Sequence, residues 1–324
     1  MYNQTELILA QYEIEIRGIT KGRGAFFCDT DKGMKLLVPF RGSKEKGMLL
    51  KEFLASLNRI GFNAEEIAVN KNQEAVTEDE HTGERFILKS YIEGAEISTS
   101  RIEDMKAAVK ELALFHNASE QVELLLPEQM LREDVVDSYR RHYRELLKAR
   151  NYIRSRKKKS EFEKIYMKHF ECNRSSAERS LALLEDGSTS TLRRLLTHGD
   201  FNQHNVLCKN GEYRLVHFEN FAYNWGILDL ANFLRKMLEK NEWNEMLGKE
   251  LITTYDTYRT LETVECERLY SLLLFPEKFW KVTNHYMNSR KTWISEKDVE
   301  KLKKVIELEE KRLNFMENIF AFLG

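Results

Sequence analysis

Thr197-His198-Gly199-Asp200-Phe201-Asn202-Gln203-His204-Asn205-Val206-Leu207 is the stretch on which the reading of this chain turns. It is a tight polar turn between two apolar segments, and it sets a carboxylate, Asp200, and an amide, Asn205, five positions apart. Such a pair can divide two tasks. The carboxylate can orient or deprotonate a hydroxyl, and the amide oxygen can bind a hard cation such as magnesium, which prefers oxygen ligands. The bland alternative is that His198, Asp200 and Asn205 are turn residues satisfying local backbone groups. Taken alone, the two readings stand level.

The surroundings shift that balance. A hairpin follows, running Val206-Leu207-Cys208, turning at Lys209-Asn210-Gly211 and returning through Tyr213 to Val216. Val216-His217-Phe218-Glu219-Asn220 then reads as the end of a short strand. Upstream, Ser100-Arg101-Ile102-Glu103 fits a capping box, and Ile102, Met105, Val109, Leu112, Phe115 and His116 fall on one helical face. Residues 135–153 and 161–185 read as long helices.

Further upstream the apolar period becomes two. Residues 4–12 form a short leading helix, and Tyr12-Glu13-Ile14-Glu15-Ile16 alternates as a strand. Gly18, Gly22 and Gly24 punctuate a turn before a returning strand at Ala25–Cys28. Asp31-Lys32-Gly33 turns into a third strand, Met34–Phe40, and Ser43–Ile60 is a helix stopped by Gly61. Short strands are expected at 67–69, 74–77 and 86–91. After the central loop come a helix at 229–238 and several more over 244–320. The expectation is an α+β chain in two parts: a small antiparallel β lobe with one helix over residues 1–93, and a larger, mostly helical lobe over 94–324.

Composition narrows the function classes. Of 324 residues, 42% are apolar and 32% charged, above the globular norm of about 25% and suited to much exposed helix. The formal net charge of −1 provides no field for nucleic acid or a membrane surface. The basic run Arg154-Ser155-Arg156-Lys157-Lys158-Lys159 has neighbouring acids and no interleaved aromatics, so it reads as a solvated helix end. Cys28, Cys172, Cys208 and Cys266 form no CxxC pair, which points to reduced thiols in a cytosolic setting. No secretory signal or transmembrane run is expected. His116 and His204 have no ligand partners at metal spacing and read as structural.

The order of small β lobe, helical lobe, HGDxxxxN loop and following Asp229-Leu230-Ala231 resembles the aminoglycoside phosphotransferase branch of the protein-kinase-like fold. Further segments resemble spore-coat proteins of the CotS type. They are Leu37-Val38-Pro39-Phe40-Arg41-Gly42-Ser43, Tyr91-Ile92-Glu93-Gly94, Leu112 to Ser119, Asp229 to Arg235 and Leu274-Phe275-Pro276-Glu277-Lys278-Phe279-Trp280. The resemblance implies a catalytic Asp200, a metal-binding Asn205, a bracing Asp229 and a second metal ligand at the position of His217. Glu219 is a displaced carboxylate for the same metal. Gly22, Gly24 and Tyr91 are the nucleotide-side candidates. Leu272 to Trp280 reads first as core.

Two departures from the family pattern matter. His217 stands where an Asp is expected, and imidazole is a softer ligand without negative charge. Val38 aligns with the third-strand Lys that holds nucleotide phosphates. Lys89 is a distant substitute, and Glu45 and Glu52 are the acids that would have paired with the missing Lys. The expected function is therefore a coat-associated, pseudokinase-like protein, catalytically impaired and structural or scaffolding. It would be made in the mother-cell cytoplasm and deposited in the coat beside other coat proteins. The competing expectation is an active phosphotransferase, with ATP and magnesium as cofactors, a small hydroxyl-bearing substrate and Asp200 as base.

Overall fold

Between Ile16 and Ser90 the chain builds an antiparallel sheet from its period-two pattern. Its strands are β1 (Ile16–Lys21), β2 (Phe26–Thr30), β3 (Gly33–Pro39), β4 (Thr77–Glu78) and β5 (Arg85–Ser90), in spatial order β1-β2-β3-β5-β4. Helix α1 (Tyr2–Leu9) precedes the sheet, and Ile8, Leu9 and Tyr12 join Cys28, Leu37, Phe86 and Leu88 in one buried cluster. Helix α2 (Lys44–Arg59) starts at Ser43, whose hydroxyl accepts from the Lys46 amide at 3.2 Å. The computed structural model describes residues 2–22, 24–126, 134–186, 192–289 and 296–323, so Arg23 of the expected glycine turn lies outside it.

The first strand begins later than the alternation at 12–16 suggests. Tyr12 is buried, its hydroxyl accepting from Thr77 at 2.9 Å, and the Glu15 amide donates to the Asp31 carboxylate at 2.8 Å. These side-chain bonds hold 12–15 out of the ladder. The leading helix likewise stops at Leu9 rather than residue 12. Of the strands expected at 67–69 and 74–77, the first is a single bridge from Ile67 to Lys89 and the second shifts to Thr77–Glu78. The Asn70 carboxamide accepts from Asn72 and Glu74 amides, turning the intervening chain.

The chain divides into two compact units. The first holds the sequence up to Ser98, helix α3 (Ile102–Glu120) from Glu111 onward, and Leu195–Tyr223. The expected cut after residue 93 thus differs from the compact division, which brings the central loop together with the sheet. This unit also contains a three-stranded sheet of β6 (Ala95–Glu96), β8 (Val206–Lys209) and β9 (Glu212–Leu215), following β7 (Arg194–Thr197).

The second unit holds α4 (Val135–Ser155), α5 (Glu161–Glu185), α6 (Ile227–Lys240), α7 (Glu245–Tyr258), α8 (Thr263–Leu274), α9 (Glu277–Asn288), α10 (Glu296–Glu307) and α11 (Glu309–Leu323). Its core includes Leu146, Ile153, Phe162, Tyr166, Phe170, Phe279 and Leu302. The apolar run at 272–280 packs as core, with Trp280 stacked on His142 at 3.4 Å between ring centroids. The basic run ends α4. Arg156 pairs with buried Glu163 at 2.6 Å, and Glu163 with Ser160 closes a reciprocal cap on α5. Ser160→Ala is expected to lower stability by about 1 kcal/mol, the usual worth of such a cap. Urea unfolding followed by tryptophan fluorescence measures it.

Candidate functional site

His198 anchors the central loop from within. It is fully buried, and its Nε2 lies 3.0 Å from the Val216 carbonyl. A carbonyl only accepts, so Nε2 carries the proton and Nδ1 is free to accept from the Asp200 amide at 3.3 Å. Gly199 follows with φ of +79°, and a Cβ there would lie 2.0 Å from the Asn220 carbonyl oxygen. Only glycine lets the two backbones approach so closely. Thr197 extends the tie, its hydroxyl donating to the Ala222 carbonyl at 2.9 Å.

Asp200 comes out of this turn exposed. Asn202 donates to its carbonyl at 2.8 Å and to its carboxylate at 3.2 Å, and Asn205 Nδ2 donates to the same carbonyl at 2.8 Å. Asn205 is buried, and its amide nitrogen is thereby spent, which leaves Oδ1 for a hard cation. A 3-10 turn at Gln203–Asn205 places His204 beside Glu96, Nδ1 to Oε2 at 2.5 Å. The hairpin turn has Asn210 and Gly211 at φ of 53° and 82°, the left-handed pair that a two-residue turn needs.

After β9 the backbone departs from the expected extended strand. His217 takes a left-handed conformation (φ 70°, ψ 54°), and Phe218–Asn220 is a 3-10 turn. His217 and Glu219 therefore do not share a strand face, yet the turn still brings Nδ1 and Oε2 to 3.8 Å. The cause lies in the segment that follows α2. The amides of His217 and Phe218 donate to the Glu65 carboxylate at 3.2 Å, and Phe218 is buried against His198 and Phe115.

Lys89 completes this cluster. Leu36 and Val38 of β3 both line the cleft, and Lys89 of β5 is the cross-strand partner of Leu36. An ammonium thus sits one strand over from the segment that carries Val38. Its side chain has no solvent exposure. It donates to Glu65 at 3.0 Å, to Glu219 through a short contact, and to His217 Nδ1 at 3.1 Å. Burial alone would lower the Lys89 ammonium, but Glu65 and Glu219 more than offset it and hold it above its ordinary value. Burial likewise would raise Glu219, but Lys89 and His217 hold its carboxyl well below the usual range. The partner acid is Glu65, beyond the end of α2. Glu45 and Glu52 are exposed on that helix.

Glu65, His217 and Glu219 of this cluster line one cleft of about 740 Å³, within the size range of small-molecule sites. Gly24, Tyr91, Asp200, Asn205, His217 and Glu219 all line it; Gly22 does not. A side chain on Gly22 would meet the Phe27 ring at 2.3 Å, and that ring packs edge-on to Tyr91 at 5.6 Å. Gly22 therefore makes room for a cleft wall.

A family model described as "Spore coat putative kinase YutH" matches residues 5–319. The chain belongs to that family. Spore coat protein S of Bacillus subtilis (strain 168) is 23% identical over 317 residues, spanning 94% of this chain and 89% of that protein. An aminoglycoside phosphotransferase from Alicyclobacillus acidocaldarius has a TM-score of 0.85 at 17% identity, covering 98% of this chain and 96% of that one. A spectinomycin phosphotransferase, APH(9)-Ia, solved with ADP and spectinomycin, gives 0.67 at 16%, covering 99% and 97%. The chain thus has the aminoglycoside phosphotransferase, protein-kinase-like fold: an N-terminal antiparallel sheet and a mostly helical C-terminal lobe.

For a magnesium ion the donors present are a poor match. Asp200 and Asn205 offer oxygen, but His217 offers nitrogen and no negative charge, and the Glu65 and Glu219 carboxylates already hold an ammonium. Among the described residues no group of three or more His, Cys, Asp or Glu is arranged to hold a metal. Sequence reasoning missed Glu65. The alternation of Ile87 and Lys89 along buried β5 calls for a buried acid to answer the ammonium, without saying which one.

Removing the ammonium leaves two carboxylates facing each other. Lys89→Met is expected to cost about 3–5 kcal/mol near neutral pH. The sign follows from linkage. Glu219, depressed in the folded state, contributes fully above its unfolded pKa of about 4.3 and loses that contribution as pH falls toward the folded value. The gap between wild type and Lys89→Met should therefore shrink below about pH 5, where the variant's carboxylates take up protons. Urea titrations at several pH values measure this; a loss below about 1 kcal/mol at pH 7 would place the pair with ordinary surface bridges. Gly199→Ala should cost about 2–4 kcal/mol, from left-handed strain and a displaced Asn220 carbonyl. Gly211→Ala, where no atom lies within 4 Å of the new Cβ, should cost about 1 kcal/mol in the same assay.

Proposed function

We propose that this spore coat protein has an impaired phosphotransfer site and serves the coat as a structural or scaffolding part. One observation carries the reading. Lys89, the sequence's substitute for a cation at Val38, is enclosed between Glu65 and Glu219 with no solvent exposure, and Val38 itself offers the cleft only an isopropyl group. Phosphoryl transfer depends on positioning and on cations aimed at the transferring group. A lysine with no exposure and three partners is not so aimed. The match to coat protein S along 94% of the chain supports the coat setting, with other coat proteins as partners.

A second reading has its own support. Asp200 is exposed on the cleft and Asn205 Oδ1 remains uncommitted, which suits an ATP- and magnesium-dependent phosphotransferase acting on a small hydroxyl compound with Asp200 as base. Steady-state turnover separates the two. With ATP, magnesium and a panel of sugars and amino alcohols, the rate should fall at least about a thousandfold below the ordinary kinase range of about 1–100 per second. It should not drop further in Asp200→Ala. A rate within that range that Asp200→Ala abolishes would overturn the impaired reading.

A further inference from the structure

We propose that the cleft takes a nucleotide without a divalent metal, the Lys89 ammonium standing where a metal ion would otherwise neutralise the site's carboxylates. The inference rests on the proposed retention of the cleft without its phosphotransfer chemistry. Glu65 already receives Lys89 and the amides of His217 and Phe218, and Glu219 receives Lys89. A divalent ion recruited to Glu219 would have to displace the ammonium. That would strand a positive charge in a position with no solvent exposure, at a cost a weakly held ion does not recover. The cluster is complete as built, and its cation cannot dissociate.

The rest of the cleft divides the ligand's needs between two walls. Phe27, Leu36, Val38 and Tyr91 form an apolar slot that suits a planar base. Arg41 and Lys46 also line the cleft, on the segment leading from β3 into α2. Arg41 is exposed and Lys46 half-buried, its Nζ 5.3 Å from the Phe221 ring centroid. A guanidinium and an ammonium on one wall match the charge of a diphosphate, with Arg able to grip two oxygens at once. The ligand class is a nucleoside di- or triphosphate, held by protein cations alone.

Calorimetric titration of the full chain with ADP tests this, in excess magnesium chloride and again in EDTA. The two dissociation constants should agree within about twofold. Arg41→Gln with Lys46→Met should weaken ADP by about tenfold or more, as expected for lost charge-assisted contacts, and leave adenosine unchanged. Magnesium alone should raise the melting temperature of Lys89→Met, whose freed carboxylates can bind it, and leave that of the wild type unchanged. The wild-type titration decides the matter even where Lys89→Met does not fold. ADP binding that requires magnesium overturns the inference, as does no ADP binding in either buffer. Neither result touches impaired phosphotransfer, which falls only to ATP turnover dependent on Asp200.

Discussion

A single ammonium, buried without solvent between two carboxylates, holds the site together. Lys89 belongs to β5, Glu65 to the extended chain after α2, and Glu219 to the turn after β9. Each charge would be costly alone, because desolvating an unpaired carboxylate or ammonium costs several kcal/mol. The three segments therefore depend on one another. The turn at 217–220 cannot relax into an extended strand without taking Glu219 from Lys89 and the His217 and Phe218 amides from Glu65. The left-handed backbone at His217 is held from outside by these bonds.

That constraint passes directly to the central loop. Asn220, fixed in the turn, lays its carbonyl where a side chain on residue 199 would be. Gly199 accepts the approach at φ of +79°, and Asp200 leaves the turn toward the cleft. His198 closes the circuit by bonding Val216 on one side and the Asp200 amide on the other. The geometry often credited to metal ligands is here held by an ion cluster, a glycine and a buried imidazole.

The sheet, α2, the long helices α4 and α5, and the loop with its hairpin were all legible in the sequence, because their signals are local: period, caps and the Asn210-Gly211 turn. Val38 does line the cleft, together with Leu36 of the same strand. Where local pattern competed with a side-chain bond, the reading failed. Tyr12 to Glu15 alternates like a strand yet is drawn off by Thr77 and Asp31. Glu219 reaches His217 through a turn rather than along a strand. Glu65 was not legible, because its task is set by residues 24, 152 and 154 positions away. No window of sequence contains that relation.

The persistence of Asp200 and Asn205 does not by itself imply catalysis. Asn202 and Asn205 both donate to the Asp200 carbonyl, so these residues would be needed to shape the loop even if no phosphoryl group ever arrived. A fold can be kept while its chemistry is not. What distinguishes the cases is where the cations point. In a working transferase they converge on the phosphates; here the best-held one faces two carboxylates and is sealed from solvent.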